Sequence, residues 1–139
     1  MVKSIVSRGE IWLINLDPTI GSEIKKTRPC IVVSPQELND HLRTVIVAPM
    51  TSKGRPAGFR VPITHDGKKG LILLDQIRAV DKARLVKKVG KSNPKTLSAS
   101  LGVLQEAFAI YFFIRSQPPT HLYGDRYRQY KQSRHHHRV

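Results

Sequence analysis

Between Gly21 and Pro29 the chain gathers one carboxylate, Glu23, and three cations, Lys25, Lys26 and Arg28. That composition suits a mobile lid over an anion, with Gly21 supplying backbone freedom. Pro29 disfavours the α region for the residue before it, so Arg28 is expected on extended backbone at the start of a strand, its guanidinium aimed from a fixed element. A planar, permanently charged fork can hold a phosphate bidentately and grip the crowded oxygens of a pentacoordinate phosphorus. A plain surface arginine is the alternative. Thr51, Ser52 and Lys53 follow an apolar run, offering two hydroxyls and a cation where a strand meets a loop. The hydroxyls suit a phosphate or a reacting 2′-OH, or else a Ser/Thr turn that satisfies its own backbone. Asp75, Gln76 and Arg78 close a further apolar run, as either a solvated strand edge or part of a site.

Other reactive residues read as structural. His41 and His65 lie in turn-like polar segments with no neighbouring motif, and both are expected at the surface rather than as an acid and base pair. Cys30, the single cysteine, sits within an apolar run and is expected in the core, which fits a reduced compartment. His135, His136 and His137 are adjacent and lack the ligand spacing of a defined site, so no metal or other cofactor is expected.

The elements that must carry these groups follow from the apolar pattern. Runs at 10–16, 30–34, 44–49, 59–63, 70–74 and 85–89 read as strands, separated by Pro18, Gly21, Pro35, Gly54, Pro56, Gly58 and Gly67. No dozen-residue helical pattern lies between them, so parallel crossover units are not expected. The connection 17–27 is far longer than the ~2 to 5 residues of an ordinary hairpin, as loops that carry function often are. After Gly90, Asn93 can cap a helix and Pro94 suits its first turn, while Leu97, Leu101, Leu104 and Phe108 mark one face. That helix is expected to run as far as Ile114, before Pro118 and Pro119 bar it.

The full chain of 139 residues is 40% hydrophobic, enough for one core and short for two. It divides into a folded body, 1–114, and a basic tail, 115–139, with six basic residues against one acid. In the tail, tyrosines 123, 127 and 130 alternate with arginines 126 and 128 and Lys131, a composition for stacking on bases as well as for a flexible solvated arm. Twenty-four Lys and Arg against 10 acids give a net charge of +14. An anionic partner is expected. The longest apolar stretches fall well short of the ~20 residues of a membrane span, and the first residues lack the apolar core of a secretory signal. A cytoplasmic protein with no membrane partner is expected.

Taken together, five segments resemble the MazF/PemK family of toxin endoribonucleases from bacterial toxin–antitoxin pairs. They are Arg8-Gly9-Glu10-Ile11-Trp12, the loop Asp17-Pro18-Thr19-Ile20-Gly21-Ser22-Glu23, the strand Thr27-Arg28-Pro29-Cys30-Ile31-Val32-Val33-Ser34, Val47-Ala48-Pro49-Met50-Thr51-Ser52, and Leu73-Leu74-Asp75-Gln76-Ile77-Arg78-Ala79-Val80-Asp81. The resemblance implies a mainly β (α+β) fold, an SH3-like, strongly bent antiparallel barrel of the MazF/PemK/CcdB type with a C-terminal helix. It implies a homodimer whose interface helps form a groove for single-stranded RNA, and metal-independent, sequence-specific cleavage by 2′-OH attack. It also implies an antitoxin of the MazE/PemI kind that lays an acidic, disordered segment along the groove.

Arg28 and Thr51 match the family's catalytic positions, and Glu23 matches a first-loop carboxylate. Asp75, Gln76 and Ser52 are candidates for proton transfer or substrate binding, and Lys25, Lys26, Lys53 and Arg78 for RNA binding. Some members carry an arginine two residues before the carboxylate that Asp75 matches, and here that position is Leu73. A non-catalytic RNA-binding module and a gyrase poison of the CcdB kind are the rival readings on the same barrel.

Overall fold

Alternating apolar residues that pair with two neighbours at once build a curled antiparallel sheet in this computed structural model, which describes residues 5–110. The expected basic tail and its histidines lie outside the described residues. Strands β1 (Glu10–Asn15), β2 (Thr27–Val32), β3 (Thr44–Thr51), β4 (Arg60–His65), β5 (Lys68–Leu73), β6 (Arg78–Asp81) and β7 (Leu85–Lys91) are joined by a short helix α1 (Gln36–His41) and closed by α2 (Pro94–Ala107). Their spatial order is β4-β5-β3-β2-β1-β7, with β6 also on β3. The result is a half-barrel with one C-terminal helix.

Strand β3 changes partners along its length. On one edge Val47, Ala48 and Pro49 pair with Val32, Ile31 and Cys30 of β2. On the other, Thr44 to Val47 pair with β6, and Met50 and Thr51 pair with Ile72 and Leu71 of β5. The chain leaves that edge between β5 and β6 through one 3₁₀ turn, Leu74–Gln76. Pro49 lies between the two sets of pairs on this edge, where a missing N–H breaks no ladder.

The period-2 alternation divides the core into two clusters. Trp12, Ile14, Cys30, Val32, Val45, Val47 and Val80 fill one, and Ile11, Ile31, Val33, Ala48, Met50, Val61, Ile72 and Leu74 fill the other. Leu97, Leu101 and Leu104 of α2 close the second. As the sequence predicts, the Asn93 side chain accepts a hydrogen bond from the Thr96 amide at 2.7 Å and Pro94 opens the helix. Asp66 and Gly67, with φ of 50° and 71°, form the tight turn of the β4–β5 hairpin.

Two expectations are corrected, and two elements are added. The helix ends at Ala107 rather than reaching 114, because Phe108 leaves the helical region at its C-cap. Phe108 is consequently 75% exposed instead of lying on the packed face. Strand β6 and helix α1 were not expected from the sequence. Each is short, and β6 forms because β3 offers it an unpaired edge.

Glu10 ties the first strand to the last. Its carboxylate, nearly buried, accepts the Ser7 amide at 2.7 Å and the Trp12 indole N–H at 3.2 Å, and the Lys88 ammonium lies 2.7 Å away. Burial raises its pKa, but the Lys88 ammonium and the hydrogen bonds to Ser7 and Trp12 outweigh this and hold the carboxyl below its usual 4.5. Its contribution to stability is therefore complete above pH 4.5 and is lost as pH falls through the lowered folded value. Glu10→Gln is expected to cost about 1 to 3 kcal/mol at pH 7 and to lack that acid-side loss. Urea melts at pH 7 and pH 3 check this, and a gap between wild type and variant that fails to narrow at pH 3 would refute it.

Gly70 sets how closely β5 approaches β3. A Cβ there would lie 2.7 Å from the Thr51 carbonyl oxygen, which belongs to the backbone and cannot rotate away. Gly70→Ala is expected to cost about 1 to 3 kcal/mol by urea unfolding. Unchanged stability would show that the two strands can move apart freely.

Candidate active site

The β2–β3 ladder ends at the pair Cys30–Pro49. Continuing the same register two residues further sets Arg28 opposite Thr51, where the strands no longer hydrogen-bond. Pro29 beside Arg28 keeps pairing with Leu13 of β1 on its other edge. Arg28 thus stands on a paired strand with one edge open, and its side chain shares a sheet face with Thr51, Leu71 and Leu73.

A cleft of about 400 Å³ occupies this opening. Arg28, Thr51, Ser52 and Lys53 line it, with Gln76 from the 3₁₀ turn and Ser22 and Ile24 from the first loop. The remaining walls are Leu73 of β5 and Arg60 of β4. Three cations and no carboxylate therefore face the cleft. A smaller recess of about 170 Å³ adjoins it, sharing Arg28, Thr51 and Ser52 and adding His65, Lys68 and Lys69. The hairpin that carries His65 also borders a larger hollow of about 640 Å³, reaching Lys91 and Thr96, which Arg28 does not line.

Arg28 donates from Nε to the Lys25 carbonyl at 2.8 Å, and its two terminal nitrogens have no partner among the described residues. The Thr51 hydroxyl donates to the Lys53 carbonyl at 2.8 Å and accepts the Lys53 amide at 3.1 Å. The Ser/Thr turn and the cleft position thus hold together. One oxygen lone pair of Thr51 remains available. Gln76 accepts the Ile24 amide at 2.7 Å, which fastens the first loop to the 3₁₀ turn. The base of that loop is closed by Leu16 N–H donating to Lys26 O and by Lys26 N–H donating to Asp17 Oδ1.

The other expected residues lie around the cleft rather than in its wall. Glu23 accepts the Ile20 amide at 3.4 Å and is flanked in sequence by the wall residues Ser22 and Ile24. Lys25 and Lys26 are exposed on the loop, Lys26 or its neighbours lending only backbone groups to the contacts above. Arg78 points elsewhere, donating to the Leu16 carbonyl at 3.0 Å. Asp75 engages the wall residue Arg60 through two hydrogen bonds, 3.3 Å from Nε and 3.2 Å from Nη2.

One cleft residue escaped the sequence reading, and one expected surface residue is corrected. Arg60 reaches the cleft because it pairs across the hairpin with Leu73, two residues before Asp75. Its strand, 59–63, was visible, but the register that delivers its guanidinium to Asp75 is set by the Asp66-Gly67 turn, from which Arg60–Leu73 is the sixth pair. His65 is less exposed than expected: 19% of its side chain is accessible, and Gly90 leaves the space its ring occupies. His41, by contrast, lies at the exposed end of α1, its Nδ1–H donating to the Glu37 carbonyl. Cys30 is fully buried as expected, and burial pushes its thiol up to about 12 despite the nearby Arg78 and Arg28 charges. No cluster of His, Cys, Asp and Glu able to hold a metal ion occurs among the described residues.

Comparison with known proteins places this geometry in a family. Residues 7–108 match the model of the PemK-like, MazF-like toxins of type II toxin–antitoxin systems. The chain is 41% identical over 108 residues to the endoribonuclease PemK of Escherichia coli, covering 73% of this chain and 81% of that protein. It is 31% identical over 115 residues to the endoribonuclease EndoA of Bacillus subtilis, covering 78% of this chain and 99% of that protein. The crystal structure of MazF from Deinococcus radiodurans shares the fold, with a TM-score of 0.70 at 24% identity, over 78% of this chain and all of that one. With the matched segment spanning the whole sheet and α2, the chain belongs to the PemK-like, MazF-like toxin family of type II toxin–antitoxin systems.

Proposed function

We propose that this toxin is a metal-independent, sequence-specific endoribonuclease of single-stranded RNA, cutting by attack of a ribose 2′-OH on the adjacent phosphorus. The products are a 2′,3′-cyclic phosphate, or the 3′-phosphate it opens to, and a 5′-hydroxyl. The observation that carries the reading is the facing pair Arg28 and Thr51 in one cationic cleft, with both terminal nitrogens of Arg28 free of partners among the described residues. Two relatives with named endoribonuclease activity, at 41% and 31% identity, support the same activity.

Arg28 stabilises the charge that develops on the phosphorane oxygens, preorganised by its bond to Lys25. Thr51 uses its remaining lone pair to orient the attacking 2′-OH, since its proton is committed to the Lys53 carbonyl. Lys53 and Ser52 bind the chain beside it, with Lys25 and Lys26 reaching it from the loop. An arginine pKa above ~12 makes Arg28 a poor base. The proton acceptor is a carboxylate, and Glu23 and Asp75 are the two next to cleft residues in sequence.

Two copies of the chain form the working toxin, and the groove between them holds the RNA. The cognate antitoxin inhibits by laying an acidic segment over the cleft cations, folding as it binds. The solved neighbours include MazF from D. radiodurans in complex with MazE, with a TM-score of 0.64 at 22% identity. No helix among the described residues is long and apolar enough to cross a membrane, and the toxin acts on mRNA in the cytoplasm.

Cleavage of a mixed-sequence single-stranded RNA in EDTA, with mapping of the product ends, tests this reading. Wild type is expected to leave cyclic or 3′-phosphate and 5′-hydroxyl ends. Arg28→Ala is expected to lose at least 10² to 10³ in rate, on the order of one preorganised donor to the transition state, with the fold intact by circular dichroism. Arg28→Ala activity near wild type would overturn the assignment. Intact RNA bound tightly by folded, antitoxin-free protein would replace the nuclease with a binding module.

A further inference from the structure

Arg60 is the second guanidinium of the cleft, and it is held more firmly than the first. Nε and Nη2 donate to the two oxygens of Asp75, and Nη1 donates to the Arg55 carbonyl at 3.2 Å. The Phe59 ring centroid lies 5.7 Å from its ζ carbon, covering one face of the plane. A guanidinium has five N–H donors. Three are used, so one on each terminal nitrogen is left in a side chain that lines the cleft.

Arg28 shows the same construction: Nε is spent on a local acceptor and the terminal nitrogens have no partner among the described residues. Two arginines from different strands therefore line one cleft, each pinned by its Nε. An arginine placed only to neutralise Asp75 has no need of the cleft wall. One placed to bind an anion benefits from a carboxylate behind it, because the pair holds the fork in one orientation and offsets the repulsion from Arg28 and Lys53.

We infer that Arg60 binds a backbone phosphate of the RNA, and that Asp75 is its positioning residue and not the general base. This rests on the endoribonuclease reading and deepens it. The proton acceptor is then Glu23. Asp75 spends both oxygens on Arg60, and a carboxylate that took the 2′-OH proton would release the arginine at the moment the phosphorane charge appears.

The test uses RNA carrying a 2′-deoxyribose at the mapped cut, so that it binds without being cut, and a cleavable copy for rates. Each phosphate contact to a single strand contributes about 0.7 to the slope of log K against log salt. Arg60→Ala is expected to lower that slope by about 0.7 and kcat/KM by about 10². Arg60→Lys, which keeps the cation but not the bidentate pair, is expected to keep the slope and still lose rate. Asp75→Asn is expected to lower kcat/KM while leaving the salt slope and the shape of the pH–rate profile as in wild type.

An Arg60→Ala slope equal to wild type, in protein with wild-type circular dichroism, overturns the phosphate contact. Loss of the acidic limb of the pH–rate profile in Asp75→Asn makes Asp75 the base and overturns its positioning role. If wild type cuts and Arg28→Ala does not, while Arg60→Ala matches wild type, this inference fails and the endoribonuclease reading stands. If wild type neither cuts nor binds, both fall.

Discussion

The backbone ladder between β2 and β3 stops at Cys30–Pro49, and the cleft exists because it stops there. Had the two strands paired two residues further, Arg28 and Thr51 would face each other across a closed sheet. Pro29 withdraws a backbone donor beside the break, so closing it would gain less than an ordinary ladder does. On the opposite edge of β3 the close approach of β5 at Gly70 holds Thr51 against the sheet. Thr51 is therefore fixed by one neighbour while the other neighbour's edge is left free for a ligand.

The residues around this opening separate into those that build it and those that face it. Arg8 donates to the Val33 carbonyl, the Gly9 amide donates to the Val32 carbonyl, and Glu10 collects its three donors where β1, β2 and β7 meet. A side chain at Gly9, where φ is 89°, would press on Leu97 of α2. The opening segment is thus scaffold. Gln76 and Asp75, adjacent in the 3₁₀ turn, reach in two directions, one to the first loop and the other to β4. A single turn inserted between β5 and β6 so couples the loop above the cleft to the arginine in its wall.

How much of this was visible in the sequence depended on the range of the interaction responsible. The strands were legible because alternation is local: Cys30 and Val32 face one cluster, Ile31 and Val33 the other. The start of α2 was legible because Asn93 and Pro94 act within one turn. Strand β6 was not, since only Val80 of its four residues is buried and its reason for being a strand is the edge of β3. Arg28 and Thr51 were legible through the segments that carry them, but their facing positions follow from a register no local pattern encodes. Arg60 was invisible for the same reason. The departure at Leu73 looked like the loss of an arginine beside Asp75, whereas the hairpin supplies one from the paired position across the strand.

Electrostatics explain why the arginines need such anchoring. Arg28, Lys53 and Arg60 share a cleft with no carboxylate in its wall, so in the free protein their mutual repulsion favours side chains swung out to water. Bonds from Nε to the Lys25 carbonyl and to Asp75 oppose that, fixing the forks before any ligand arrives. The ordering cost is then met by folding and not by binding, which leaves the electrostatic gain for the anion that enters the cleft. The same arrangement leaves the empty cleft strongly attractive to any polyanion that fits. An acidic peptide would relieve that repulsion as an RNA would, which is the physical basis of the inhibition proposed above.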